Sequence, residues 1–357
     1  MPTRLGYNVN CEAPALDDNR QAAIDAVCGI QGGAHLLLDD YKSNYQFCRE
    51  LYKRSPHSIR IHRHYLPKDE NSGWDGSLIE CPNGDTESKY MEGAWFARFL
   101  RGQQEAHNAP PNTVEQVFNE PDYHGQMLIR KNQFLVEAIE EASRIGLRLC
   151  VDNAQQRSVW FRDTSKTVNE VGRGLYDDLL RALARHPEHY FGLHSYGLGF
   201  LPANVSNAGI AQLTNPQSIG LNWVVDSDEV VKQQRALYVA KWPESQLCAA
   251  TMALIQRCVN VLHIPAPKFI ITEGGLDLVR LFEDGQVTQS ITNINGREPM
   301  GYPTMYWYAK AIAPNWTRAE WMFEQLRWWD AVELPEVKGI CIYTKDKTFM
   351  AGQYHVS

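Results

Sequence analysis

The sequence predicts a single-domain α/β fold, an eight-stranded (β/α)8 or TIM barrel. Short apolar runs alternate with longer amphipathic stretches from end to end, the pattern of a parallel sheet covered by helices. Eight such runs occur within 357 residues, the strand number of a closed α/β barrel. No Pro/Gly/Ser-rich linker and no abrupt shift in composition divides the chain, so residues 1–357 read as one barrel domain.

The expected strands, in order, are Leu5–Asn10, His35–Asp39, Ser58–His64, Val114–Asn119, Arg148–Asp152, Tyr190–His194, Lys268–Thr272 and Gly339–Tyr343. Each is a short, nearly continuous apolar run, as expected of a strand buried on both faces. The spacing predicts helices between them. Asp17–Gln31 opens on two aspartates and places Ala22, Ile24, Val27 and Ile30 on one side. Gln133–Gly146 repeats apolar residues at helical intervals and stops at a glycine. Gly174–His186 carries Leu175, Leu179, Leu180 and Leu183. Ser227–Asn260 is long enough for a helix or a helix pair, with Trp242-Pro243 as the interruption. Ala319–Ala331 holds Trp321, Met322, Leu326 and Trp329. Long loops are expected after strands 3, 6 and 7. About a dozen residues follow the last strand, which points to a truncated or absent eighth helix.

Composition narrows the function. Hydrophobic residues make up 44% and charged residues 22%, the balance of a folded globular chain. The net charge of −7 argues against nucleic acid as a partner. No apolar run is long enough to span a bilayer, so no membrane partner is expected. The first residues carry no signal-peptide core, which favours the cytoplasm, or secretion if a leader was removed. The eight cysteines form no C-x-x-C pair and read as mostly reduced, with Cys150 and Cys341 as small core residues. Oligomeric state is left open.

In such a barrel the chemistry sits at the C-terminal ends of the strands. Strand 4 ends in Asn119-Glu120-Pro121 and strand 7 in Thr272-Glu273-Gly274-Gly275. A carboxylate directly after a buried apolar strand is costly to desolvate unless it has partners or a task. Two carboxylates facing one cleft suit glycosidic-bond cleavage: one delivers a proton to the departing oxygen, the other stays ionised. Strand 6 ends in His194-Ser195-Tyr196, strand 3 in Arg60-Ile61-His62-Arg63-His64, and strand 8 near Tyr343. On strand 3, Arg60 and His62 are expected to point into the mouth, with Ile59 and Ile61 toward the helices. The chain's ten Trp and sixteen Tyr include loop residues Trp74, Trp160, Trp223 and Trp307, which suit stacking on sugar rings or plain packing.

These motifs resemble the glycoside hydrolase clan A superfamily, the retaining (β/α)8-barrel glycosidases, in a family-5-like form. That clan carries an Asn-Glu, often followed by Pro, at the end of strand 4 and a second Glu at the end of strand 7. The resemblance implies that Glu120 is the acid/base and Glu273 the nucleophile. It implies that Asn119 bonds the sugar 2-hydroxyl and that Tyr196 orients Glu273. The resemblance implies a β-linked oligosaccharide or polysaccharide as substrate, and no metal or organic cofactor. His194, Arg60, His62 and Tyr343 would then contact sugar. The clan's arginine, usually on strand 2, has no equivalent there; Arg60 or Arg63 on strand 3 could replace it. Asp122 and Asp152 could contact sugar hydroxyls.

Other readings stay open. A carbohydrate-binding barrel without catalysis would keep the same cleft. His62, His64, His194 and Asp346 resemble the ligand set of metal-dependent amidohydrolases, although that group carries its His-x-His on the first strand. Gly274-Gly275 could form a phosphate-cradling turn, and His194 could be a satisfied buried histidine.

Overall fold

The structure, a computed structural model, describes residues 4–10, 25, 27–29, 31–38, 45–63, 92–118, 125–155, 171–196, 249–275 and 334–343. The described residues include eight strands: β1 Arg4–Asn10, β2 Ala34–Leu38, β3 Ile59–Arg63, β4 Val114–Gln116, β5 Arg148–Gln155, β6 Tyr190–Tyr196, β7 Lys268–Gly275 and β8 Val337–Tyr343. They hydrogen-bond in chain order and β8 returns to β1, closing a barrel. Every neighbouring pair is parallel. The sheet therefore has no open edge, and all its strand ends with the same polarity lie at the same end of the barrel.

Two apolar layers result. Ala34, Leu36, Ile61, Val114, Cys150, Ile270 and Cys341 fill the barrel interior, with Ile59 and Tyr190 packed against them. The interior is narrow: a Cβ on Gly339 would lie 2.3 Å from the Ala34 Cβ. The second layer, between barrel and helices, holds the alternate residues, such as Leu37, Leu149, Val151, Phe191, Leu193, Phe269 and Ile271. Both faces of the sheet are thus buried, which is why the strands read as unbroken apolar runs.

The outer layer is built from α1 Gln46–Arg54, α2 Gly93–Ala106, α3 Gly125–Ile145, α4 Asp177–Arg185 and α5 Ala249–Gln256; residues 257–262 continue α5 as a π-helical turn. Residues 25 and 27–29 are helical within the first expected helix. The α3 helix starts about two turns before its predicted beginning. Part of the region expected to be loop after strand 3 is α2, whose Phe96, Ala97, Leu100 and Gln104 form its buried stripe. Gly93 lets α2 touch α3, since a Cβ there would meet the Phe134 carbonyl oxygen at 1.9 Å. Phe134 then packs against both Phe96 and Phe118, with centroids 5.7 and 5.5 Å away.

The expected helix 319–331, Trp242-Pro243, the loops after β6 and β7 and the chain after β8 lie outside the described residues. So do Trp74, Trp160, Trp223 and Trp307. Five described cysteines, Cys28, Cys48, Cys150, Cys258 and Cys341, are buried free thiols, and Cys150 and Cys341 line the barrel interior as expected. Among the described residues no helix is long and apolar enough to cross a membrane.

Candidate functional site

The C-terminal ends of β3, β6 and β7 bring three polar side chains together. Glu273 lies near the end of β7 and is 6% exposed. Its Oε1 accepts from Arg63 Nη1 at 3.5 Å, and its Oε2 lies 3.5 Å from His194 Nδ1. Arg63 ends β3, and its sequence number shares parity with the inward-facing Ile59 and Ile61. His194 shares parity with Tyr190 on β6 in the same way. A register shift places Glu273 opposite His194: Leu193 pairs with Ile271, and His194 pairs with Glu273. Thr272 is the extra residue in β7. The bulge gives the end of the strand two successive polar residues directed at the barrel axis and mouth. The guanidinium offsets the cost of taking the carboxylate out of water.

Asn153 forms the floor beneath this group. Its Nδ2 donates to the carbonyls of Val117 and Cys150 at 3.0 and 3.1 Å, and its Oδ1 accepts from Thr272 Oγ1 at 2.9 Å. One side chain thereby ties β5, β7 and the chain just past β4. Gly192 of β6 makes room for it: a Cβ there would lie 1.9 Å from Asn153 Oδ1. This is a close approach that only glycine allows.

The same end holds three non-glycine residues in the left-handed region. Phe118, Asp152 and Asn153 have φ of 66°, 75° and 56°. Asn and Asp tolerate the left-handed region, but a bulky Phe there is an outlier that its surroundings must enforce. Gln116 Nε2 donates to the Phe118 carbonyl at 3.0 Å and Phe134 packs against the ring. The left-handed turn puts consecutive Val117 and Phe118 into the outer apolar layer and redirects the chain just before Asn119-Glu120.

Asp152 is wholly buried and ion-paired with the equally buried Lys131 of α3. Burial pushes the Asp152 carboxyl above its ordinary range and the Lys131 amine below its own, while their mutual attraction opposes both shifts. Asp152 thus anchors α3 to the barrel end.

The expected orientation of β3 is reversed. Ile59 and Ile61 face the barrel interior, and Arg60 and His62 face the helices. His62 Nδ1 lies 2.9 Å from Glu115 Oε2, and its ring stacks on Tyr45 at 3.9 Å. Tyr45 and Gln104 donate to the other oxygen of Glu115 at 2.9 and 2.7 Å. Arg60 donates to the carbonyls of Pro56, Ser58 and Pro111 and lies over the Tyr52 ring. Neither is a mouth residue, because polar partners on the outer face hold both side chains there. Of the two arginines weighed for the mouth, Arg63 is the one positioned in it.

His62 and His194 therefore lie on opposite faces of the barrel wall, so these two members of the expected metal set are not brought together. Among the described residues no group of three or more His, Cys, Asp or Glu side chains is arranged to hold a metal ion. Asn119, Glu120, Asp122, His64 and Asp346 lie outside the described residues. Tyr196 and Tyr343 lie on β6 and β8, with side chains outside the described set. Compared with protein-family models, with curated proteins and with solved structures, the chain matches none of them.

Proposed function

We propose that the protein is a retaining glycoside hydrolase acting on a β-linked glycan. The observation that carries this reading is Glu273, a buried carboxylate at the C-terminal end of the barrel, flanked by Arg63 and His194. A carboxylate so held keeps a fixed direction, as attack on one carbon requires. In this reading Glu273 attacks the anomeric carbon and Glu120 protonates the departing oxygen; Glu120 then takes a proton from water as the glycosyl–enzyme ester is hydrolysed. Arg63 and His194 position Glu273. Asn119, Tyr196 and Tyr343 are the proposed sugar contacts. The strained segment at Phe118 immediately precedes Asn119-Glu120 and supports placing the acid/base there.

Trapping with an activated 2-deoxy-2-fluoro glycoside tests the proposal, after a screen of chromogenic glycosides supplies the sugar. The expected adduct is a single glycosyl ester on the peptide containing Glu273, absent in Glu273→Gln. Product analysis by NMR shows retained anomeric configuration, and Glu273→Gln loses on the order of 10³-fold or more in turnover. An inverted product, an adduct elsewhere, or an active Glu273→Gln overturns the assignment. A glycan bound by the wild type but never cleaved makes the protein a binding barrel instead.

A further inference from the structure

The strands begin at the other end of the barrel, where basic side chains gather. Arg4, Arg148 and Lys268 are the first residues of β1, β5 and β7. Each is registered beside an inward-facing neighbour. Arg148 pairs with Val114 and Lys268 with Tyr190, both members of the interior cluster or packed on it. Arg4 pairs with Gly339, which abuts Ala34 of that cluster. With Arg60, Lys338 and His57 these side chains line a cavity of about 600 Å³, and among the described residues no aspartate or glutamate lines it.

These cations have no acidic partners among the described residues. Arg4 donates to the His57 carbonyl at 2.6 Å, Arg60 to three carbonyls, and Lys338 to the Pro335 carbonyl. Burial lowers the basicity of Arg60, and the positive charge of Arg148 acts in the same direction. Elsewhere on the described surface cations meet carboxylates: Lys53 with Glu50, Arg98 with Glu141, Arg185 with Glu140, Arg257 with Asp177. A chain with a net charge of −7 has collected five arginine and lysine side chains, from five strands, around one hollow. Like charges so gathered repel one another, and an anion relieves the repulsion.

We propose that this cavity binds a small molecule bearing two or more linked phosphates. Guanidinium forks match phosphate oxygens in pairs, and ammonium groups add point charge. A lone phosphate spans too little to meet cations drawn from five strands, whereas a cavity of this size holds an entire ligand of several phosphates. Ile59, Val114 and Tyr190 give it a partly apolar wall. The proposal stands apart from the glycosidase reading. At about 3.3 Å per residue, the step from Lys268 to Glu273 along β7 separates the two ends by roughly 16 Å.

Calorimetric titration of the full chain with inorganic pyrophosphate is the test, with inorganic phosphate for comparison. Pyrophosphate is expected to bind at one site, about tenfold or more tighter than phosphate, and to weaken as salt is raised. The double variant Arg148→Gln/Lys268→Gln loses about tenfold or more in affinity. The control Lys53→Gln/Arg181→Gln, outside the cavity, leaves binding unchanged. Pyrophosphate also raises the melting midpoint of the wild type above that in sodium chloride of equal ionic strength, a readout independent of how any variant folds. Equal affinity for the two anions, undiminished binding by the double variant, or no rise in the midpoint overturns the proposal.

Discussion

At the C-terminal mouth Glu273 sits between Arg63 and His194, and nearby Asp152 is matched by Lys131. At the N-terminal end Arg4, Arg148 and Lys268 line one cavity, with no carboxylate among its described lining residues. β5 and β7 contribute to both sets, with Arg148 and Asp152 on the one and Lys268 and Glu273 on the other. On the two proposals, the difference lies in where the balancing charge comes from. A neutral ligand such as a glycan brings none, so a mouth built to act on it must hold its own charges in opposed pairs. An anionic ligand brings the missing charge with it, and its site is left one-signed. Pairing at the mouth should therefore stabilise the fold, and crowding at the other end should cost stability.

The largest expected effect breaks the pairing. Lys131→Met leaves a buried carboxylate without its counter-ion and is expected to cost about 3–5 kcal/mol in urea unfolding. Adding Asp152→Asn removes the uncompensated charge and recovers much of that loss. A single-variant cost below about 1 kcal/mol would mean that the mouth does not depend on its own pairs.

A smaller effect reads the positive end through pH. His189, just before β6, is 1% exposed. Its Nδ1 accepts from the Leu149 N–H at 2.9 Å, so Nε2 carries the proton toward Ser143 Oγ, also at 2.9 Å. Burial lowers its pKa from 6.5 to about 4; Glu188 opposes that shift, and His186 and Arg148 reinforce it. Between those values the unfolded chain binds a proton that the native protein does not. This contribution is complete above pH 6.5 and is lost as pH falls toward about 4, a change of about 3 kcal/mol. Urea midpoints measured across that range should fall more steeply for the wild type than for His189→Asn. Parallel curves would remove His189 as the cause.

The smallest effect runs the other way. Lys268→Gln relieves repulsion around the cavity and is expected to raise the melting midpoint by about 2 °C at low salt, with the gain vanishing near 1 M salt. A lowered midpoint would show that Lys268 is held by attraction, and the contrast between the ends would fail.

The strands were legible because burial on both faces leaves unbroken apolar runs, and seven of the eight observed strands begin within one residue of, or at, the expected position. The same property hid the orientation of β3. When residues 60–63 are all buried, alternation cannot say which face is the barrel interior. The answer rests on Glu115, which reaches His62 from 53 residues away, and on Glu273, which reaches Arg63 from 210 residues away. A single strand carries no sign of either. The α1 and α2 helices were missed although their apolar spacing is regular, because α1 is short and α2 opens on a glycine. That glycine serves contact with α3 rather than the helix itself. Glu273 was legible because a carboxylate ending an apolar strand needs a reason, while Asp152, in a similar position, has its reason in Lys131.

The sealed thiols turn the barrel into its own stopwatch. Cys150 and Cys341 lie in the innermost layer, where burial raises both far above the range in which a thiol ionises, so an alkylating reagent reaches them only when strands part. Cys48, on the inner side of α1, is released when that helix lifts. Reading alkylation peptide by peptide would time the two events separately and tell whether the wall breathes before its cladding does.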